Sequence, residues 1–203
     1  MHQKDSSSGS KIVYLKTNMV SSDCQDTVNL KSTSIDGLSH LQIQLSPPEI
    51  QIGASVGIQR QIREIQKNGN HILEKYISKN NDPGRHGLWG NAIEGALGEV
   101  AVAKGLNLYH TGMESHWATD VGENIEVRTR RKESHQLFLK PTDKPGFIYV
   151  LVVGQFGVYA IKGWIESDEV FSHPEWLHDF NGKTSKCYWV PDSELQPITN
   201  LVL

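Results

Sequence analysis

Apolar and polar positions change period several times along the chain, and each change marks an element. Leu41-Gln-Ile-Gln-Leu45 alternates, the period of a short half-buried strand. Ser46-Pro-Pro-Glu49 then has the form of a capping box. Ser46 can accept from the N3 amide, Pro47 tolerates the first helical position and Glu49 reaches back to the cap, so a helix is predicted to start there. Ile50, Ala54, Ile58, Ile62 and Ile65 follow at helical spacing as one apolar stripe that stops at Asn68-Gly69, with Arg60 and Arg63 off the stripe. A shorter helix carries Ile72, Leu73, Tyr76 and Ile77, a glycine-rich loop runs from Asn80 to Gly90, and Asn91 with Glu94 opens a further helix that Gly105 ends.

Strand-like runs succeed the helices at 106–110, 123–130, 136–140, 147–153 and 158–165, the last two joined as a hairpin across Gly154-Gln-Phe-Gly157. Beyond Trp164 the chain reads as an acidic helix through 166–179, a short strand at Cys187-Tyr-Trp-Val190, and a loose end after Pro191-Asp-Ser-Glu-Leu195. Helices preceding a mostly meandering sheet predict an α/β (α+β) domain. Residues 1–40 are rich in Ser, Thr, Asn and Asp, with one apolar island at Ile12-Val-Tyr-Leu15 that has room for one added strand. They read as a flexible polar tail, leaving 41–203 as a single domain.

Composition narrows the class. Of 203 residues, 37% are hydrophobic and 21% charged, which fits a globular chain with a loosely packed fraction. A formal net charge of −3 means that any polyanion must be met by a local basic patch. Cys24 and Cys187 form neither a disulfide framework nor a CxxC knuckle, so a reducing cytoplasm is expected. The opening from Met1 to Ser10 reads as a polar leader, so secretion is not expected. The longest apolar run, Phe147 to Val153, has seven residues, against the ~20 that a membrane helix needs. It is predicted to be a buried strand, and no membrane partner is expected.

Candidate chemistry begins with carboxylates. In the helix that Gly105 ends, Glu99 has Gly95 and Ala96 one turn before it and Val102 and Ala103 one turn after, with no cation at helical neighbour positions. Such a carboxylate needs compensation for lost hydration, and a divalent cation is one candidate; a solvent-reaching glutamate is the plainer one. In Glu123-Asn-Ile-Glu-Val-Arg-Thr-Arg130, alternation sends Ile125, Val127 and Thr129 to one face and Glu126, Arg128 and Arg130 to the other. Asp120 stands a turn-like approach before Glu126, close enough in sequence for both to meet one metal. The plainer reading of this face is a solvated strand with Glu and Arg neutralising each other.

Together these residues resemble the PD-(D/E)xK, or restriction-endonuclease-like, nuclease superfamily, in which a helix supplies a Glu and a following strand carries Asp and then Glu-x-Lys. The match is Glu99 in Gly-Ala-Leu-Gly-Glu, Asp120, and Glu126-Val-Arg128, and it looks particularly like small members from phage and bacterial genomes. It spans residues 46–165 and departs from the pattern at Thr119, where Pro is usual, and at Arg128, where Lys is usual. The resemblance implies a restriction-endonuclease-like core with a central mixed sheet flanked by helices. It also implies Mg²⁺ or Mn²⁺ held by Asp120 and Glu126, with Glu99 binding directly or through water. Catalytic roles then fall to Glu99, Asp120, Glu126 and Arg128, and the reaction to metal-dependent hydrolysis of phosphodiester bonds. An arginine stays protonated, so Arg128 can orient phosphate and stabilise charge but cannot accept a proton; Lys132 or Lys140 could substitute for the missing lysine. Arg128, Arg130, Arg131 and Lys132, with Arg60, Arg63 and Arg85, are the expected contacts to nucleic acid, DNA ahead of RNA. A homo-oligomer and a protein partner stay open. The alternative is a catalytically inactive descendant of the fold that binds nucleic acid or protein, such as a phage-encoded inhibitor or assembly factor.

Other signals carry less. Gly53-Ala-Ser-Val-Gly57 has the GxSxG spacing of a serine hydrolase, but the capping box places Ser55 inside a helix, where no nucleophile elbow forms. His173, His178 and Cys187 lack zinc spacing, and Gly84, Gly87 and Gly90 are not a dinucleotide fingerprint. Trp164, Trp176 and Trp189, with Tyr188, read as packing residues, since base stacking would need them exposed together beside a basic groove.

Overall fold

The computed structural model describes residues 32–35, 38–68, 87–110, 112, 119–179 and 186–202. The Ile12–Leu15 island, the helix expected around Ile72 to Ile77, and Arg85 lie outside them.

Strands β1 (Ser32–Ile35) and β2 (Leu38–Gln44) open the described chain, so strand structure begins inside the segment that reads as a tail. Helix α1 (Pro47–Asn68) starts at the predicted box, where the Ser46 amide and hydroxyl both donate to Glu49 Oε2 at 2.6 and 2.8 Å. Helix α2 (Gly87–Gly105) begins one turn earlier than Asn91 and ends where expected. The strand expected at 106–110 is not formed. Leu106 and Leu108 return their amides to Val102 and Ala103 of the helix, and Asn107 takes a positive φ of 56° that breaks extension.

Strands β3 (Ile125–Arg130), β4 (Leu137–Leu139), β5 (Ile148–Gln155) and β6 (Val158–Glu166) follow the predicted order. Phe156 and Gly157, with φ of 57° and 83°, close the β5–β6 hairpin as two left-handed residues, the conformation that matches strand twist. The helix expected over 166–179 is only α3 (Ser167–Phe171), because Pro174 starts a separate 3₁₀ turn and β7 (Leu177–Asp179) follows. Strand β8 (Lys186–Val190) completes the set.

These strands form a mixed five-stranded sheet in the order β1-β2-β6-β5-β3 and a three-stranded sheet in the order β4-β8-β7. Only β3 and β5 run parallel among the five. Their crossover carries β4 rather than a helix, so it deposits a strand of the second sheet on the face away from the helices. The architecture is therefore α+β, with α1 and α2 on one face of the large sheet and the small sheet, with α3, on the other. One core cluster, including Leu97, Val100, Ile125, Val127, Val150 and Val152, lies on the helix side. A second, including Leu137, Leu139, Tyr149, Leu151 and Val153, lies under the small sheet. Buried on both faces, β5 reads as a continuous apolar run for that reason. Among the described residues, no helix is long and apolar enough to cross a membrane.

The isoleucine stripe of α1 is not the face that packs on α2. Ile58, Ile62 and Ile65 are each about two-fifths exposed, while Val56, Gly57 and Gln61 are buried. A Cβ on Gly57 would lie 2.5 Å from Ile93 Cα, so the glycines allow the two helices to touch at backbone distance, and close approach selects the small-residue face over the apolar one. The Gly53–Gly57 spacing is thus a helix contact. Ser55 spends its hydroxyl on the Gln51 carbonyl one turn back.

Candidate active site

Helix α2 reaches β3 through Gly98, where any Cβ would collide with the Thr129 side chain. This close seat carries Glu99 down to the strand, 4% exposed. The compensation its own helix does not supply comes from elsewhere. Arg60, displaced from the isoleucine stripe and so turned toward α2, grips both Glu99 oxygens through Nη1 and Nη2, the latter at 2.7 Å. His110 Nε2 lies 3.4 Å from Oε2. Burial pushes the Glu99 carboxyl up, but bonds from His110 and Arg60 hold it below the usual carboxylate range. His110 Nδ1 is buried with no hydrogen-bond partner among the described residues.

Asp120 stands at the open edge of β3. Val121 bridges Ile125 on that edge, and one step on the Val127 amide donates to Asp120 Oδ2 at 2.8 Å. With Ile125 and Val127 in the helix-side core, alternation turns Glu126 to the opposite face. Asp120 is therefore flanked by Glu99 on the helix side and by Glu126 on the small-sheet side. Loss of solvent, then the charges of Glu99 and Glu126, push its carboxyl up to about 7.

Glu126 is paired as well: Lys144 Nζ meets Oε1 at 2.7 Å and Arg128 Nη1 lies 3.8 Å from Oε2. Arg128 donates to Asp143 Oδ2 at 2.9 Å and lies 4.9 Å over the Tyr149 ring. Burial works against its charge, but the Asp143 carboxylate raises its pKa above the ordinary arginine value. The Lys144 amide donates to the Tyr149 hydroxyl, which pins the turn that holds both Asp143 and Lys144. Burial and the Asp143 charge push that phenol up to about 12, so it stays neutral.

The structure thus gathers Glu99, Asp120, Glu126, Arg128 and Arg60 into one charged network. Arg60 faces a carboxylate rather than an open groove. Arg63 is exposed farther along α1, Arg131 bonds Asn91, and Lys132 is exposed. Sequence reading missed His110, Asp143, Lys144 and Tyr149. Asp143 and Lys144 sit in Thr142-Asp-Lys-Pro145, which signals only a turn, and nothing local links a turn to a strand 18 positions away. Neither Lys132 nor Lys140 reaches Glu126; Lys144 does.

The donor chemistry, three carboxylates with Asp120 between the other two, suits a hard divalent cation. Among the described residues, no group of three or more His, Cys, Asp or Glu side chains is placed to hold an ion, and Glu99 and Glu126 are each paired with a cation. No protein-family model, curated protein or solved structure matches the chain.

Proposed function

We propose that the protein is a metal-dependent nuclease of restriction-endonuclease-like core that hydrolyses phosphodiester bonds in nucleic acid. The observation that carries the reading is the position of Asp120 on the open edge of β3 between two further carboxylates, Glu99 and Glu126. A half-buried acid pressed by two like charges is a poor structural device, since the arrangement opposes its ionisation. Neutralisation by a divalent cation turns that cost into binding.

Asp120 and Glu126 would hold Mg²⁺ or Mn²⁺, with Glu99 beside them. When bound, the ion lowers the pKa of water and polarises a phosphoryl oxygen. The chain's own residues supply the rest. Arg128, fixed by Asp143 and by the Tyr149 ring, presents a permanent charge that orients a phosphate and stabilises the negative charge developing on it. Lys144, already on Glu126, places an ammonium where the strand itself offers only Arg128. Arg60 and His110 hold Glu99 in the site and keep it ionised.

The test is cleavage of labelled single- and double-stranded DNA and RNA with Mg²⁺, Mn²⁺ or EDTA, using wild type, Asp120→Asn and Glu126→Gln. Cutting that needs the metal and falls at least about a hundredfold in both variants supports the reading. No cutting of any substrate by wild type overturns it. A second reading, a binding module without catalysis, is favoured by the ion pairs that already occupy Glu99 and Glu126. Nucleic-acid binding that is indifferent to metal and uncut is its signature.

A further inference from the structure

On the small-sheet face of β3, four charged side chains close a ring in which the signs alternate. Lys144 Nζ lies 2.7 Å from Glu126 Oε1, Arg128 Nη1 lies 3.8 Å from Glu126 Oε2, and Arg128 Nη2 donates to Asp143 Oδ2 at 2.9 Å. Asp143 and Lys144 are neighbours in one turn, which completes the circuit. Two carboxylates stand against two cations, so the ring is neutral as it stands and holds little attraction for a phosphate.

The four members are not equally fixed. Asp143 Oδ2 also accepts the Lys140 amide at 3.0 Å, and Arg128 is seated over the Tyr149 ring. The backbone of the turn is tied as well, through the Lys144 amide to the Tyr149 hydroxyl and the Gly146 amide to Asp168 Oδ1 at 3.0 Å. The Lys144 side chain is the exception. It is the most exposed of the four at 35%, its ammonium ends a flexible four-carbon stem, and among the described residues Glu126 is its one ion-pair partner. The Phe147 ring, 5.0 Å from Nζ, offers a resting place that does not neutralise it. Glu126 is also the carboxylate that the proposed chemistry assigns to a divalent cation, so Lys144 and that cation compete for it.

We infer that Lys144 is an exchangeable counter-ion: it neutralises Glu126 in the empty site and passes to a phosphate of the polynucleotide backbone when Glu126 turns to a divalent cation. With Glu126 so engaged, the rest of the ring is Arg128 and Lys144 against Asp143, one positive charge in excess. Asp143 is already committed to Arg128 and a backbone amide, so the released ammonium pairs with an anion from outside. The site therefore grips nucleic acid firmly only once it is charged for reaction, and by linkage a bound backbone favours the cation in return. The inference rests on the nuclease reading for the role of Glu126, but it is read by binding and not by cleavage.

Two binding measurements on the full chain test it. The first is titration with Mn²⁺ alone, without nucleic acid, followed by its spin resonance. Lys144→Gln leaves Glu126 without its competitor and should bind Mn²⁺ about threefold to fivefold tighter than wild type, the worth of a partly exposed ion pair. Lys186→Gln, which removes an exposed charge from β8, should not change the affinity. The second is the salt dependence of binding to a labelled DNA duplex in EDTA, by fluorescence anisotropy. Glu126→Gln releases Lys144 with no metal present, so its slope of log affinity against log salt should steepen by about 0.9, one new phosphate contact. Adding Lys144→Gln should restore the wild-type slope, and Glu123→Gln, the loss of an exposed carboxylate just before β3, should leave it alone. Mn²⁺ affinity that Lys144→Gln does not raise overturns the exchange, as does a double variant as steep as Glu126→Gln or a duplex that Glu126→Gln does not hold. Both shifts with no cleavage in Mn²⁺ uphold the exchange and sink the nuclease; cleavage without either shift does the reverse.

Discussion

The two faces of β3 handle charge in opposite ways. Toward α2, Glu99 is almost wholly buried and both its oxygens are taken by Arg60, with His110 behind them. Toward the small sheet the pair is somewhat wetter, with Glu126 12% and Lys144 35% exposed against 6% and 29% for Glu99 and Arg60, and Arg130 at the far end lies over an aromatic ring. The drier pair on the first face is the more expensive to break, because the survivor is stranded in a poorer solvent, while the wetter pair on the second exchanges partners at lower cost. Pairing on the helix face therefore serves to hold a carboxylate in place. On the sheet face it is loose enough for an incoming anion or cation to compete.

The largest way to break this contrast is to push the helix off the strand. Gly98→Ala is expected to cost about 3 kcal/mol of unfolding free energy in urea, since its Cβ meets the Thr129 side chain. Much of that should return in the Gly98→Ala/Thr129→Ala double variant; a double variant no better than Gly98→Ala would mean the contact is not what seats α2. Next, Glu99→Ala should lose about 2 kcal/mol, reduced from a fully buried pair because Arg60 keeps some water. Glu126→Ala should lose about 1 kcal/mol or less. Equal losses in the two would erase the difference between the faces.

Asp120 sharpens the contrast through pH. Its carboxyl is raised from 3.8 to about 7, so the folded state holds the proton more tightly than the unfolded state between those values. Its contribution is favourable below about pH 4 and is lost as pH rises through about 7, the reverse of a salt-bridged acid. In EDTA, Asp120→Asn should therefore be more stable than wild type by about 1 kcal/mol at pH 8, with the gain vanishing by pH 4. A pH-independent difference in thermal melts would show that burial, with the Glu99 and Glu126 charges behind it, does not raise the Asp120 carboxyl. The smallest effect belongs to Arg131→Ala. Its bond to the exposed Asn91 amide is worth a few tenths of a kcal/mol, and a larger loss would place Arg131 with the buried pairs.

Local periodicity made much of the fold legible. The capping box, the glycine that ends α2, the hairpin turn and the alternation of β3 are all decided within a few residues, by capping chemistry, backbone conformation and strand geometry. The same alternation put Glu126, Arg128 and Arg130 on one face before any packing was known. Which face of α1 is buried was not legible, because hydrophobic pattern ranks Ile58 and Ile62 above Gly57, whereas helix contact at backbone distance selects the glycine. The cations of the site were hidden for a related reason. Arg60 meets Glu99 across 39 positions and Lys144 meets Glu126 across 18, and no local rule specifies a contact that exists only once two packed faces have fixed the approach. The sequence by itself determined the helix from the capping box, the order of the strands from β3 to β6 and the carboxylates that line β3. Tertiary structure alone decided their partners, because charge contacts act over a few ångströms of space whatever their separation along the chain.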